Sequence, residues 1–136
     1  MNDRASPSLP ASLAPLELAT SAETTRAYAG LTADFNPIHL DPEFAAGTMF
    51  GRPIIHGTMA LNLVLEAARR TLEPAHECRS LDIRFIKPSP VGETIRAGGT
   101  LTNAATGTYE VFVETAAGLR TLQGTLIAGR ARAGVR

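Results

Sequence analysis

The chain has 136 residues, and its 13 basic side chains balance 13 acidic ones. This balance excludes a global electrostatic field that would attract nucleic acid or an anionic membrane. This length suits one domain with a hydrophobic core of its own. The single cysteine, Cys78, excludes an internal disulfide, so we expect a cytoplasmic protein. No stretch approaches the about 20 apolar residues of a membrane span, so no membrane association is predicted.

The opening segment is poor in residues that favour helix or strand. It includes three prolines and three serines and lacks the apolar run of a signal peptide, which predicts a flexible N-terminal arm over residues 1–15. A short helix is then predicted from residue 21 to residue 30. Thr20 is the expected N-cap, and Glu23 can reach back to complete a capping box.

A proline interrupts the chain after this helix. Because the residue before a proline is disfavoured in the helical region, Asn36 and Pro37 predict an irregular turn from Thr32 to His39. A brief helix should restart with Asp41 as its N-cap and end near Gly47.

The longest helix-compatible run follows Gly57. The segment TMALNLVLEAARRTL has apolar side chains around most of the helical circumference, which is typical of a buried helix. Beyond it the hydrophobic period changes to two, and four strands are predicted at 80–85, 93–101, 108–114 and 119–128. Short glycine-containing connections favour antiparallel pairing. We therefore predict an α+β domain in which a curved antiparallel sheet wraps around one long central helix.

Asp34 and His39 lie five residues apart across the proline-braced turn, so their side chains could hold the same water molecule. Such a pair suits reversible hydration of an activated double bond, in which one group takes a proton from water and another group supplies a proton. Alternatively, the two side chains form a helix cap and a structural hydrogen bond. The spacing alone does not decide between these roles.

Two sequence blocks resemble the signature of the MaoC-like, (R)-specific enoyl-CoA hydratase family. They are ADFNPIH at residues 33–39 and GRPIIHG at residues 51–57, and FIKPSPVGE at residues 85–93 is similar to the family's strand and turn after the central helix. The family usually has glycine where Ala33 stands. Because alanine tolerates positive φ poorly, we expect a slightly different turn here. We also expect the N-terminal arm to replace the family's first strand.

The resemblance implies a hot-dog fold, here one domain over residues 16–130 followed by a tail at 131–136. It implies a hydro-lyase that reversibly hydrates trans-2-enoyl-CoA to (R)-3-hydroxyacyl-CoA. Carried over by position, Asp34 and His39 are the acid/base pair that holds the catalytic water, and the backbone N–H of Gly57 is the donor to the thioester carbonyl. The resemblance further implies no metal or redox cofactor, with coenzyme A present only as part of the substrate, and a homodimer or a dimer of dimers.

Five further residues are candidates for substrate binding. Arg52, Arg84 and Lys87 are of the types that bind the phosphates of coenzyme A, with a solvated surface role as the alternative. Asn36 is also of a type that braces loops through side-chain to backbone bonds. His56 precedes the long helix, where a buried structural or positioning role is the alternative to substrate contact.

Two other functions remain open from the sequence. A hot-dog acyl-CoA thioesterase would share the fold and the substrate class but hydrolyse the thioester bond. A non-catalytic acyl-thioester-binding subunit would bind without turnover. The carrier of the acyl group is likewise open between coenzyme A and an acyl carrier protein.

Overall fold

A computed structural model describes residues 7–132 of the chain, which fold into one sheet and four helices. Residues 1–6 and 133–136, which hold parts of the predicted arm and tail, lie outside the described residues. In chain order the elements are β1 Ser12–Ala19, α1 Ala22–Thr32, α2 Pro37–Leu40, α3 Pro42–Ala46, α4 Gly57–Leu72, β2 His76–Phe85, β3 Thr94–Asn103, β4 Thr108–Thr115 and β5 Arg120–Arg130.

The five strands form one sheet in the order β1-β3-β4-β5-β2, and all neighbouring strands are antiparallel. The predicted long helix, the four later strands and their antiparallel pairing are confirmed. The side chains of α4 that are buried against the sheet are Met59, Ala60, Leu63, Val64, Ala67, Ala68 and Leu72. No helix within residues 7–132 is long and apolar enough to cross a membrane.

The prediction of a flexible arm over residues 1–15 is wrong from Ser12 onward, because the first strand begins there. Leu13 is fully buried in the core, and β1 pairs with β3 along the edge of the sheet. The hydroxyl of Tyr109 donates a hydrogen bond to the carbonyl oxygen of Pro10, which fixes the approach to the strand. The strand that the family resemblance implied is therefore present. A register shift between Leu13 and Leu16 accommodates the intervening proline, as proline in sheets is confined to edges and bulges.

The first helix begins one residue later than predicted, with Ser21 as its N-cap. The Ser21 hydroxyl accepts from the Thr24 N–H, and the Thr24 hydroxyl accepts from the Ser21 N–H, so the capping box uses these two residues and not Thr20 with Glu23. The Thr20 hydroxyl instead donates to the carbonyl oxygen of Glu93 at 2.6 Å, tying the helix start to the turn before β3.

The predicted irregular turn contains one extra helical turn. Asn36 caps α2 by accepting from the Ile38 N–H at 3.0 Å, and Pro37 occupies the first helical position. Asp41 caps α3 as predicted, and Gly47 is the C-cap that follows its last residue. These short helices present residues 34–39 to the beginning of α4.

Candidate active site

Asp34 follows a left-handed residue that ends α1. Ala33 has φ 59° and ψ 30°, and the N–H groups of Ala33 and Asp34 both donate to the carbonyl oxygen of Ala29. The chain therefore keeps the positive φ that glycine usually supplies, at the conformational cost that a Cβ brings. The Asp34 side chain, which is 50% exposed, accepts one backbone hydrogen bond, from Asn36 at 3.3 Å.

His39 lies on α2 with its imidazole facing Asp34. Its Nδ1 is 2.8 Å from the carbonyl oxygen of Ile54. A carbonyl can only accept, so Nδ1 carries the proton and Nε2 of the neutral ring presents a lone pair. That Nε2 lies 3.9 Å from Oδ2 of Asp34, and the His39 side chain is 12% exposed. Both predicted dyad residues thus meet at one point near solvent.

His56 lies beneath this pair and is 2% exposed. Its ring stacks on His39 with centroids 3.9 Å apart and planes inclined by 25°. Its Nε2 is 3.0 Å from the backbone carbonyl oxygen of Asp34, so Nε2 carries the proton. Nδ1 of His56 is buried and has no hydrogen-bond partner among the described residues. The Tyr28 ring also packs against His56, in an edge-to-face arrangement with the planes inclined by 62°.

Asp34, His39 and His56 are also the kinds of side chain that bind metals, and their ligand-type atoms lie within 4.8 Å of one another. The hydrogen bonds oppose a site that uses all three, because the His56 nitrogen facing the cluster donates its proton to the Asp34 carbonyl. A metal ligand needs that lone pair free. The geometry therefore fits a water-holding pair better than a three-ligand metal centre.

Gly57 is the first residue of α4, and His56 makes no side-chain cap bond to the helix. The first N–H groups of a helix have no partner within it and carry the positive end of its dipole. A Cβ added at Gly57 would lie 3.2 Å from the Phe85 ring, a tight contact that would narrow the approach to these N–H groups. Gly57 and His39 both line a cavity of about 260 Å³.

The remaining substrate-binding candidates divide by position. Lys87 lines the same cavity, at the turn after β2. Arg52 does not line the cavity and lies 3.7 Å from Glu93 in an exposed ion pair. Arg84 does not line this cavity, because strand alternation turns Leu81 and Ile83 toward the core and Arg84 to the opposite face of the sheet.

On that outer face Arg84 borders a broader groove of about 710 Å³ together with Asp82, Phe112 and Arg120. Within this groove the Arg120 guanidinium lies over the Phe112 ring and donates hydrogen bonds to the Glu114 carboxylate. Asn36 braces the turn through the bonds already described.

Three contributors to the site were missed from the sequence. Phe85 and Phe50 form walls of the cavity, and the carbonyl of Ile54 orients His39. Phe85 could have been found, because it continues the inward alternation of Leu81 along β2. The role of Ile54 belongs to its backbone and leaves no signal in side-chain type.

A long helix packed against a curved antiparallel sheet is the architecture of a hot-dog-fold protein. A model of the MaoC like domain matches residues 10–121. The (R)-specific enoyl-CoA hydratase of Aeromonas caviae is 60% identical over 37 residues, which cover 27% of this chain and 28% of that protein. The 3-hydroxyacyl-thioester dehydratase Z of Mycobacterium tuberculosis is 34% identical over 101 residues, which cover 68% of this chain and 67% of that protein.

The solved structure of the (R)-hydratase from A. caviae involved in PHA biosynthesis superimposes with a TM-score of 0.78 and 27% identity, over 93% of this chain and 98% of that one. The chain spans 28% or less of the length of several curated relatives that it matches, including peroxisomal multifunctional enzymes. The chain belongs to the MaoC-like domain family, and its fold is the hot-dog fold that the sequence resemblance implied.

Proposed function

We propose that this protein is a hydro-lyase that reversibly hydrates trans-2-enoyl-CoA to (R)-3-hydroxyacyl-CoA. The observation that carries the proposal is that Asp34 and His39 face one another at 3.9 Å, with His39 lining the same cavity as Gly57 at the start of α4. The hydratase and dehydratase names of the relatives support the same reaction class.

The pair would hold the water that reacts. A distance of 3.9 Å is too long for a direct hydrogen bond, so each group keeps a lone pair for a shared water molecule. During hydration one group takes a proton from this water as its oxygen bonds to C3, and a proton is delivered to C2. The C2–C3 π electrons pass toward the thioester carbonyl and return as C2 is protonated. Dehydration is the reverse sequence.

The start of α4 would stabilise the oxygen of the thioester. As the π electrons move, negative charge grows on that oxygen, and the Gly57 N–H is placed at the positive end of the helix dipole. A donor of this kind stabilises a transition state by about 3–4 kcal/mol. His39 and Gly57 line the same cavity, so one acyl group could meet both.

The cavity walls indicate an acyl substrate with an anionic carrier. Phe50, Ile54 and Phe85 supply apolar surface, and Lys87 supplies the positive charge. A lysine suits the phosphates of coenzyme A or of an acyl carrier protein's prosthetic group. We further propose that the protein acts as a homodimer, as the family resemblance implies, with no resident metal or redox cofactor.

The test is the enoyl-thioester absorbance of crotonyl-CoA in the presence of the purified protein, followed in parallel with a free-thiol assay. Loss of the enoyl band without thiol release, and an (R)-3-hydroxybutyryl product by chiral analysis, is the expected result. Release of thiol would identify a thioesterase instead. Crotonyl-CoA that binds but stays unchanged, together with inert longer enoyl thioesters, would indicate a non-catalytic binding subunit.

A further inference from the structure

We propose that His56 is the positioning residue of this site. As a neutral imidazole protonated on Nε2, it holds Asp34 and His39 in place relative to one another. The role rests on the proposed hydratase function. It differs from direct proton transfer, because the His56 ring is 2% exposed and has no route to the substrate except through its neighbours.

The buried His56 ring contacts two of the three predicted catalytic residues, and the third follows it in the chain. The Nε2–H of His56 donates to the backbone carbonyl of Asp34 at 3.0 Å, and its face stacks on His39 at 3.9 Å. Its own backbone leads directly into Gly57 at the start of α4. Asp34 and His39 come from separate elements, so His56 is the side chain that joins the turn after α1, helix α2 and helix α4.

The surroundings hold this ring in one orientation. The Tyr28 ring meets His56 edge-on with centroids 5.0 Å apart, and the Tyr28 hydroxyl donates to Thr58 at 2.8 Å. Asn62 in turn donates to the Tyr28 hydroxyl at 2.9 Å. Helix α1 is therefore fixed to the first turns of α4 next to His56.

The unpartnered Nδ1 of His56 is consistent with this role. A buried nitrogen without a hydrogen-bond partner destabilises the fold. An apolar side chain could fill the same space without that loss of stability. The compensating contact is the Nε2–H bond, which restrains the backbone next to the Asp34 carboxylate. A displacement of 1 Å at such a group can lower turnover by roughly 100-fold.

Two substitutions separate the hydrogen bond from the packing. His56→Phe keeps a flat ring against His39 but removes the donor, whereas His56→Gln keeps an N–H donor at similar reach but removes the ring. We expect His56→Phe to lower kcat for crotonyl-CoA by roughly 10- to 100-fold with KM changed less than about 3-fold, and His56→Gln to recover part of that loss. His76→Phe, at a buried histidine at the start of β2, controls for a general loss of stability and should leave kcat unchanged.

A spectroscopic measurement tests the hydrogen bond from His56 to the Asp34 carbonyl without an activity assay. In a long-range ¹H–¹⁵N spectrum of the wild-type protein, His56 should show a protonated Nε2 and a bare Nδ1. The opposite tautomer would overturn the proposal, as would equal kcat for His56→Phe and the wild type. If the wild type hydrates no enoyl thioester, the proposed function fails while the tautomer still decides whether His56 holds the Asp34 backbone.

Discussion

Nε2 of His39 lies 3.9 Å from Oδ2 of Asp34. The two atoms are close enough to bind one water molecule between them and too far apart for a direct hydrogen bond. The Ile54 carbonyl sets this arrangement by accepting from Nδ1 of His39, which leaves Nε2 unprotonated in the neutral ring. A direct hydrogen bond between the two side chains would need a proton on Nε2 of His39, which would leave that nitrogen no lone pair to accept a proton from water. The separation is therefore the feature that suits the pair to hydration.

Ala33 occupies a left-handed conformation, with φ 59°, that favours glycine. A residue with a Cβ pays roughly 1–2 kcal/mol there, and glycine costs roughly 0.5–1 kcal/mol in the unfolded chain. Ala33→Gly should therefore raise the free energy of unfolding by roughly 0.5–1 kcal/mol, measured by urea denaturation. A loss of stability would show that the Ala33 methyl group has a packing role that outweighs the backbone cost.

Gly57→Ala should lower kcat roughly 10-fold or more while leaving the protein folded, because the new Cβ would meet Phe85 at 3.2 Å and narrow the approach to the helix N–H groups. Steady-state kinetics and thermal melting report the two effects separately. The matched control is Gly30→Ala within α1, where an added Cβ has nothing within 4 Å. That control should stabilise the helix and leave kcat unchanged. Equal kcat for wild type and Gly57→Ala would show that the approach to the Gly57 N–H does not limit turnover.

Lys87→Ala should raise KM for an acyl-CoA about 5-fold at low salt with kcat retained, because Lys87 lines the cavity as an exposed cation. The difference should shrink as ionic strength rises. Arg84→Ala removes a charge of the same sign from the outer face of the sheet, beside Asp82, and should leave KM unaltered. Reversed effects for the two variants would place the carrier on the outer face.

Glu66 carries a pKa lowered to about 2 from its usual 4.5, chiefly because Arg69 donates hydrogen bonds to its carboxylate and secondarily because Arg70 does so. A carboxyl whose folded pKa is depressed stabilises the fold above its unfolded pKa and loses that contribution as pH falls through the folded value. Melting temperatures of wild type and Glu66→Gln should therefore differ most near neutral pH and converge between about pH 4.5 and about pH 2.

The control for this pH dependence is Glu73→Gln, which removes a carboxylate that lies 3.9 Å from Arg69, beyond hydrogen-bonding distance. This substitution should change the melting temperature little, both near neutral pH and at low pH. A constant difference between Glu66→Gln and the wild type at every pH would show that the Glu66 effect is steric and not electrostatic.

Strong periodicity explains which elements were predictable. The apolar circumference of α4 and the alternation of β4 survive in the structure because burial on one or both faces dictates them. Strand β1 was missed because Pro15 and a register shift interrupt its alternation, and α2 because a four-residue helix has no period to detect.

In the candidate site, the residues of a local motif could be predicted from the sequence, whereas contacts between separate elements could not. Asp34 and His39 were identifiable from a local motif, since they are five residues apart in the chain. The stack of His56 on His39 and the placement of Phe85 over Gly57 are contacts between separate elements, which the sequence encodes only through the complete fold. Arg84 was assigned by residue type alone, and strand alternation places it on the other face.

The most direct test of the proposed Asp34–His39 pair is the hydration rate of crotonyl-CoA by Asp34→Asn and His39→Gln, measured beside the wild type. Each variant should lower kcat roughly 100-fold or more, with KM changed far less, because each removes one of the two groups that we propose to hold and activate the water. Both variants should melt near the wild-type temperature, since Asp34 is half exposed and His39 makes one side-chain hydrogen bond to the backbone. Wild-type turnover in both folded variants would contradict the assignment of this pair as the catalytic centre.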